Sequence, residues 1–143
     1  MIHRRDFIKS SIGLSAILST TPYFSNAIAE ASPITIEERL GRIAKAQEHL
    51  QKNNMVALIL DAGTSLNYFT GLAWYPSERS MLAIIPAKGE LTYICPYFEE
   101  DRLRELLKVG TEVRTWHEDE NPFELCIKTI KDLGIAKGQI GIE

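Results

Sequence analysis

The stretch MVALILDAGTSLNYFTGLAWYPSERSMLAIIP, residues 55–86, decides the fold. Met55–Leu60 and Met81–Ile85 are short, continuous apolar runs, the pattern of strands covered on both faces. Between them the chain has to reverse. Gly63 and Gly71 supply turning points, Tyr68, Phe69, Trp74 and Tyr75 supply contact surface, and Glu78 and Arg79 stand side by side. Two rigid strands that hold an aromatic and charged connection between them make that connection the expected recognition edge.

Upstream, the first 29 residues read as an export signal. Arg4 and Arg5 precede an apolar run over Ile12–Leu18, and Ala27-Ile28-Ala29 gives an A-x-A cleavage pattern. The pair followed by Asp6, Phe7, Ile8 and Lys9 resembles the twin-arginine motif, with His3 where Ser or Thr is usual. The apolar run is short, is broken by Ser15, Ser19, Thr20 and Thr21, and ends at Pro22, which argues against a membrane anchor. The expected product is exported, periplasmic or extracellular, and begins near Glu30 with a short linker over residues 30–35. Thr35 and Glu38 form a capping-box pattern. The helix that follows places Ile36, Leu40, Ile43 and Leu50 on one stripe, turns Glu37, Arg42, Lys45 and Glu48 to water, and ends at Asn53-Asn54.

Downstream, Pro86-Ala-Lys-Gly-Glu90 joins Met81–Ile85 to Leu91–Cys95 as an antiparallel hairpin, with Gly89 free to take a positive φ. A helix is expected from Glu99 to Gly110 with Leu103, Leu106 and Leu107 inward, then a strand over Glu112–Trp116. Asn121, Pro122 and Glu124 open a further helix whose buried face would carry Phe123, Cys126, Ile127, Ile130 and Leu133, and Gly134 stops it. Gln139–Ile142 starts a last strand. Helices alternating with apolar strands give an α/β layer structure.

Over its 143 residues the chain has a net charge of -3 and 45% apolar residues, with Lys and Arg dispersed, so nothing marks a nucleic-acid partner. His117-Glu118-Asp119-Glu120 is the one place where a His meets several carboxylates. Neighbouring loop residues seldom converge on one ion, and acidic residues ahead of a helix N-terminus have an electrostatic reason of their own. Cys95 ends an apolar strand and Cys126 lies on an apolar helix face, a setting for buried free thiols, while spacing leaves a single bridge open. There is no G-x-S-x-G, no phosphate-binding glycine loop and no H-E-x-x-H.

The succession ERLGRIAKAQEHLQKNNMVALIL, SLNYFTGLAWYPSERSMLAIIPAKGE, CPYFEEDRLREL, VRTWHEDENPFEL and QIGIE resembles the N-terminal domain of the creatinase, prolidase and Xaa-Pro aminopeptidase family. Its most specific pieces are Asn67-Tyr-Phe-Thr-Gly71, Ser77-Glu-Arg79 and Gly141-Ile-Glu143. The resemblance implies a three-layer α/β/α domain with a mixed sheet over residues 36–143, truncated at its C-terminal end. In the family such a domain precedes a pita-bread catalytic domain, whose two Asp, one His and two Glu bind two divalent metal ions and which cleaves the bond before proline or related amides. None of those ligands maps onto this sequence, so the implied role is non-catalytic: substrate gating and dimer contacts, inactive alone. The implied partners are a catalytic domain or second subunit, a peptide substrate and a second copy in a homodimer. The positions implied to contact substrate are Tyr68, Thr70, Trp74, Tyr75 and Arg79; Arg79 suits a substrate carboxylate and equally an ion pair with Glu78 or a structural tie to the loop, and the aromatic side chains suit packing under the loop better than substrate contact. The alternative is a free-standing module that binds a peptide or protein with the same fold.

Overall fold

The computed structural model describes residues 32–134 and 137–143, so the expected signal with Arg4 and Arg5, and residues 30–31 of the linker, lie outside the described residues. Helix α1 (Ile36–Lys52) starts where the capping pattern places it: the Thr35 hydroxyl accepts the Glu38 N–H at 3.2 Å. Its buried row differs from the expected stripe. Arg39, Ile43 and Leu50 are buried, whereas Ile36 and Leu40 are each 51% exposed. The sheet meets the helix along a line rotated toward Arg39, whose hydrogen bonds make its burial tolerable.

Five strands follow: β1 (Met55–Asp61), β2 (Leu82–Pro86), β3 (Thr92–Pro96), β4 (Glu112–Trp116) and β5 (Gln139–Ile142). Their order across the sheet is β4-β3-β2-β1-β5. β1 with β2 and β2 with β3 are antiparallel, while β3 with β4 and β1 with β5 are parallel, so the sheet is mixed. The β2–β3 hairpin closes at Ile84 opposite Thr92, and Gly89 turns it at φ +108°.

The continuous apolar runs have a simple cause, since both faces of the sheet are covered. Ala83, Ile85, Tyr93 and Cys95 meet Ile43 and Leu50 of α1, Leu66 of α2 (Thr64–Thr70) and Leu103 of α3 (Glu100–Leu106). The alternate residues Leu82, Ile84 and Ile94 meet Cys126 and Ile130 of α4 (Pro122–Asp132) on the other side. Alternation along each strand thus divides one apolar run between two layers of helices, the three-layer α/β/α arrangement.

Three expected details shift. A short 3₁₀ turn, Tyr97–Glu99, precedes α3, which ends at Leu106 rather than Gly110; Leu107 is extended and Gly110, at φ +73°, redirects the chain into β4. Leu106 is exposed. On α4 the Asn121 side chain caps the helix by accepting the Phe123 N–H at 2.9 Å, but the buried row is Cys126, Thr129 and Ile130. Phe123, Ile127 and Leu133 face outward, because α4 touches the sheet along only one narrow line.

Both cysteines are free and buried, and they stand on opposite faces of the sheet. Burial pushes the Cys95 thiol up to about 12, with the charge of Glu100 adding to it, and burial alone pushes Cys126 up to about 11. Burial likewise lifts Tyr93 to about 12, its hydroxyl donating to the Val109 carbonyl at 2.7 Å. These acids have higher pKa values folded than unfolded, so the folded state holds protons that the unfolded chain releases in base. The contribution is complete below the unfolded values, roughly pH 8.5 for a thiol and 10 for a phenol. It is lost as pH rises through the folded values. The urea midpoint is therefore expected to fall steadily between about pH 9 and 11, and a midpoint flat over that range would place the thiols in contact with solvent.

Candidate functional site

Helix α2 is built against the odds of its own sequence. Seven residues of mostly modest helix propensity make fewer than two full turns, and its N-cap, Gly63, offers no side-chain acceptor. Its support comes from elsewhere. Arg39, from α1, donates from Nη1 to the Asn67 carbonyl at 2.6 Å and to that of Tyr68 at 3.3 Å. Arg42, one turn on, donates to the Tyr68 carbonyl at 2.8 Å and pairs with Glu38. Two guanidinium groups thus occupy the end of a helix whose Tyr68 carbonyl accepts from both and whose dipole favours positive charge. Within the connection expected to reverse the chain, Asn67-Tyr-Phe-Thr-Gly71 forms the last turn of this helix and its cap. Gly71 ends it at φ +76°, with its N–H on the Asn67 carbonyl at 2.8 Å.

From this cap the segment divides into residues that hold and residues that present. Thr70 is fully buried: its hydroxyl donates to the Leu66 carbonyl at 2.7 Å and accepts the Leu72 N–H at 3.1 Å. Trp74 is buried too, with the Arg102 guanidinium 4.6 Å from its ring centroid. Tyr68 is half exposed and packs edge-on against Phe69 at 5.0 Å. Tyr75 is 86% exposed and, with Trp74 and Asn67, borders a hollow of about 340 Å³.

Arg79 stands on a tight turn. The Ser77 hydroxyl accepts the Arg79 N–H at 3.2 Å and donates to the Arg79 carbonyl at 3.1 Å. The guanidinium reaches Glu78 at 2.8 Å through Nη1, and Glu118 at 2.9 Å and 3.2 Å through Nη2 and Nε. The hydrogen bonds it donates to Glu118 raise its pKa above the ordinary value, and the Phe98 ring lies 5.3 Å away. Nearby, the Trp116 indole donates to the Ser80 carbonyl at 3.1 Å, fixing this turn to β4. A carboxylate that takes the Nε/Nη2 edge of Arg79 has to exchange with Glu118.

The structure brings the five expected residues onto one connection, but Tyr68, Tyr75 and Arg79 carry its exposed surface. Arg39, Arg42, Glu118 and Phe98, which complete it, escape a reading of the sequence because each comes from another element. The one available signal was an arginine at the helical spacing of the apolar row containing Ile43 and Leu50.

The run His117–Glu120 does not act as a unit. Glu118 is taken by Arg79, the Glu120 carboxylate accepts the His117 N–H at 2.7 Å, and the His117 ring lies against Tyr97 at 4.7 Å. Among the described residues no three His, Cys, Asp or Glu side chains come together, so these residues do not fit a two-metal centre. The arrangement can bind and orient.

A family model described as the creatinase/prolidase N-terminal domain matches residues 42–143. An uncharacterized peptidase of Schizosaccharomyces pombe is 32% identical over 117 residues, which are 72% of this chain and 26% of that protein. Among solved structures, a recombinant prolidase from Thermococcus sibiricus aligns with a TM-score of 0.59 at 31% identity, over 71% of this chain and 27% of that one. The N-terminal domain of an Xaa-Pro dipeptidase from Lactobacillus brevis aligns with a TM-score of 0.63 over 71% of this chain and 75% of that one; at 17% identity, that likeness is one of fold. The chain spans about a quarter of the length of the curated relatives it matches.

The cap at Gly71 is tightly constrained. A Cβ there would lie 2.7 Å from Arg39 Nε and 2.9 Å from Lys108 Cδ, on a backbone that L-residues avoid. Gly71→Ala is expected to cost about 2 kcal/mol or more in urea denaturation, from the left-handed backbone and the displaced guanidinium together. An unchanged midpoint would remove this cap from the structure's supports.

Proposed function

The chain belongs to the creatinase/prolidase N-terminal domain family, the domain of Xaa-Pro dipeptidase-like proteins, and from that premise we propose that it is the non-catalytic N-terminal domain of an exported Xaa-Pro aminopeptidase-, prolidase- or creatinase-like metallohydrolase. The observation that carries this reading is the family match itself. The match to the N-terminal domain runs over residues 42–143, while the peptidase relatives are about four times as long as the part they share with this chain. In this reading bond cleavage falls to a partner catalytic domain, which would hold two divalent metal ions through its own carboxylates and histidine. The contribution of this chain is to the mouth of that site and to contacts with a second copy.

Its own residues suit recognition. Tyr75 offers exposed aromatic surface beside a shallow hollow, and Tyr68 offers a half-exposed ring on α2. Arg79 offers a cation held in place by Ser77, Glu78 and Glu118, able to pass from Glu118 to the carboxylate of a peptide. Thr70 and Trp74 act beneath this surface, by fixing the end of α2 and the path that leaves it. The twin-arginine-like segment around Arg4 and Arg5 supports export to the periplasm or beyond.

Two measurements test the proposal. The purified chain, supplied with manganese or zinc, is expected to leave an Xaa-Pro dipeptide intact, and metal-dependent turnover would overturn the non-catalytic role. In a protein that joins this chain to a catalytic domain, Arg79→Ala is expected to raise KM roughly tenfold or more with little change in kcat, as loss of a charge-assisted contact made in ground and transition states alike. Unchanged kcat and KM would take Arg79 out of the substrate site.

A further inference from the structure

A groove of about 650 Å³ runs between α1 and α2, lined on one side by Glu38, Arg42, Lys45 and His49. We propose that it is a docking site for an acidic peptide segment, one carboxylate meeting the basic row and an adjacent apolar side chain lying on Tyr68 and Phe69.

Charge bookkeeping along α1 supports the basic row. Glu38, which also lines the groove, and Arg42 offset each other, and Glu48 lies 3.9 Å from Lys52, so the unpaired formal charge on this wall is that of Lys45. The Lys45 and His49 side chains take part in no ion pair or hydrogen bond among the described residues, although both line the groove. Residues 42, 45 and 49 follow one another at helical spacing, so their heads share a face. This row is a local exception on a chain of net charge -3.

The opposite wall is aromatic. The Arg42 guanidinium lies 4.1 Å from the Tyr68 ring centroid, which places a cation directly at the edge of an apolar surface. A small anion would use the cations and leave the rings idle; a peptide with a carboxylate next to an apolar side chain uses both.

The floor is Gly41. It sits inside α1 with an ordinary helical backbone, and a Cβ added there would meet nothing within 4 Å. Glycine weakens a helix interior relative to alanine, and neither a positive φ nor close packing calls for it here. What its missing side chain does provide is depth between Arg42, Lys45 and Tyr68. The groove shares Tyr68 with the surface assigned to substrate above, yet it needs neither catalysis nor a catalytic domain.

The test is a titration of the isotope-labelled full chain with acetyl-Leu-Glu-Asp-Leu-amide and with its uncharged Gln-Asn counterpart, followed by backbone amide shifts. The expected result is movement confined to residues 38–49 and 67–70, with the acidic peptide binding at least tenfold more tightly. Lys45→Glu should weaken that binding at least tenfold. Gly41→Leu should abolish it while leaving the melting temperature equal or higher, which separates a filled groove from a damaged fold. Equal binding of the two peptides, binding of neither, shifts centred elsewhere, or unchanged affinity in either variant overturns the proposal. Citrate binding as tightly as the acidic peptide overturns it in favour of a small-anion site, and self-association that Lys45→Glu abolishes overturns it in favour of a second copy.

Discussion

The buried guanidinium of Arg39 is the constraint on which the rest of the recognition edge depends. A cation in the interior is costly unless its donors are satisfied, and a seven-residue helix is unstable unless its last carbonyls are. Each defect here is the remedy for the other: Arg39 spends its hydrogen bonds on Asn67 and Tyr68, and α2 presents the negative end of its dipole to Arg39. Gly71 must then be glycine, because the side chain that rescues the helix fills the space a Cβ would need. From that fixed point the chain runs through Leu72 and Trp74 into the core and out again at Tyr75.

The layered fold was legible in the sequence because it is written in short-range pattern. Met55–Leu60 and Met81–Ile85 are short and apolar at every position, the pattern of strands covered on both sides, and the hairpin and the caps at Thr35 and Asn121 carry local chemistry. What the pattern does not carry is the line along which a helix touches its sheet. Leu40 and Ile127 fit an apolar stripe equally well whether the contact line passes through them or beside them, and in both helices it passes beside them. Helix α2 was hidden for a related reason: its last turn is held by Arg39, 28 and 29 positions from the two carbonyls it reaches.

The candidate site was half legible. Its location followed from aromatic and charged residues crowded between two strands, and all five expected positions do lie on that connection. Side-chain direction did not follow, since Thr70 and Trp74 look as suitable for contact as Tyr68 and Tyr75 until the cap at Gly71 fixes which of them turn inward. Nor did partnership. Glu118 lies 39 residues from Arg79, in a run that reads as a helix preface, and only the tertiary fold makes it the counter-charge of that arginine.

The placement of the two thiols gives the molecule a pair of separate chemical sentinels. Cys95 lies beneath the layer formed by α1, α2 and α3, and Cys126 beneath α4, with the sheet standing between them as a wall. Alkylation of one sulfur reports lifting of one layer, alkylation of the other reports lifting of the opposite layer, and a bond between the two requires the wall itself to open. The same atoms that contribute ordinary packing therefore record, face by face, how the domain comes apart.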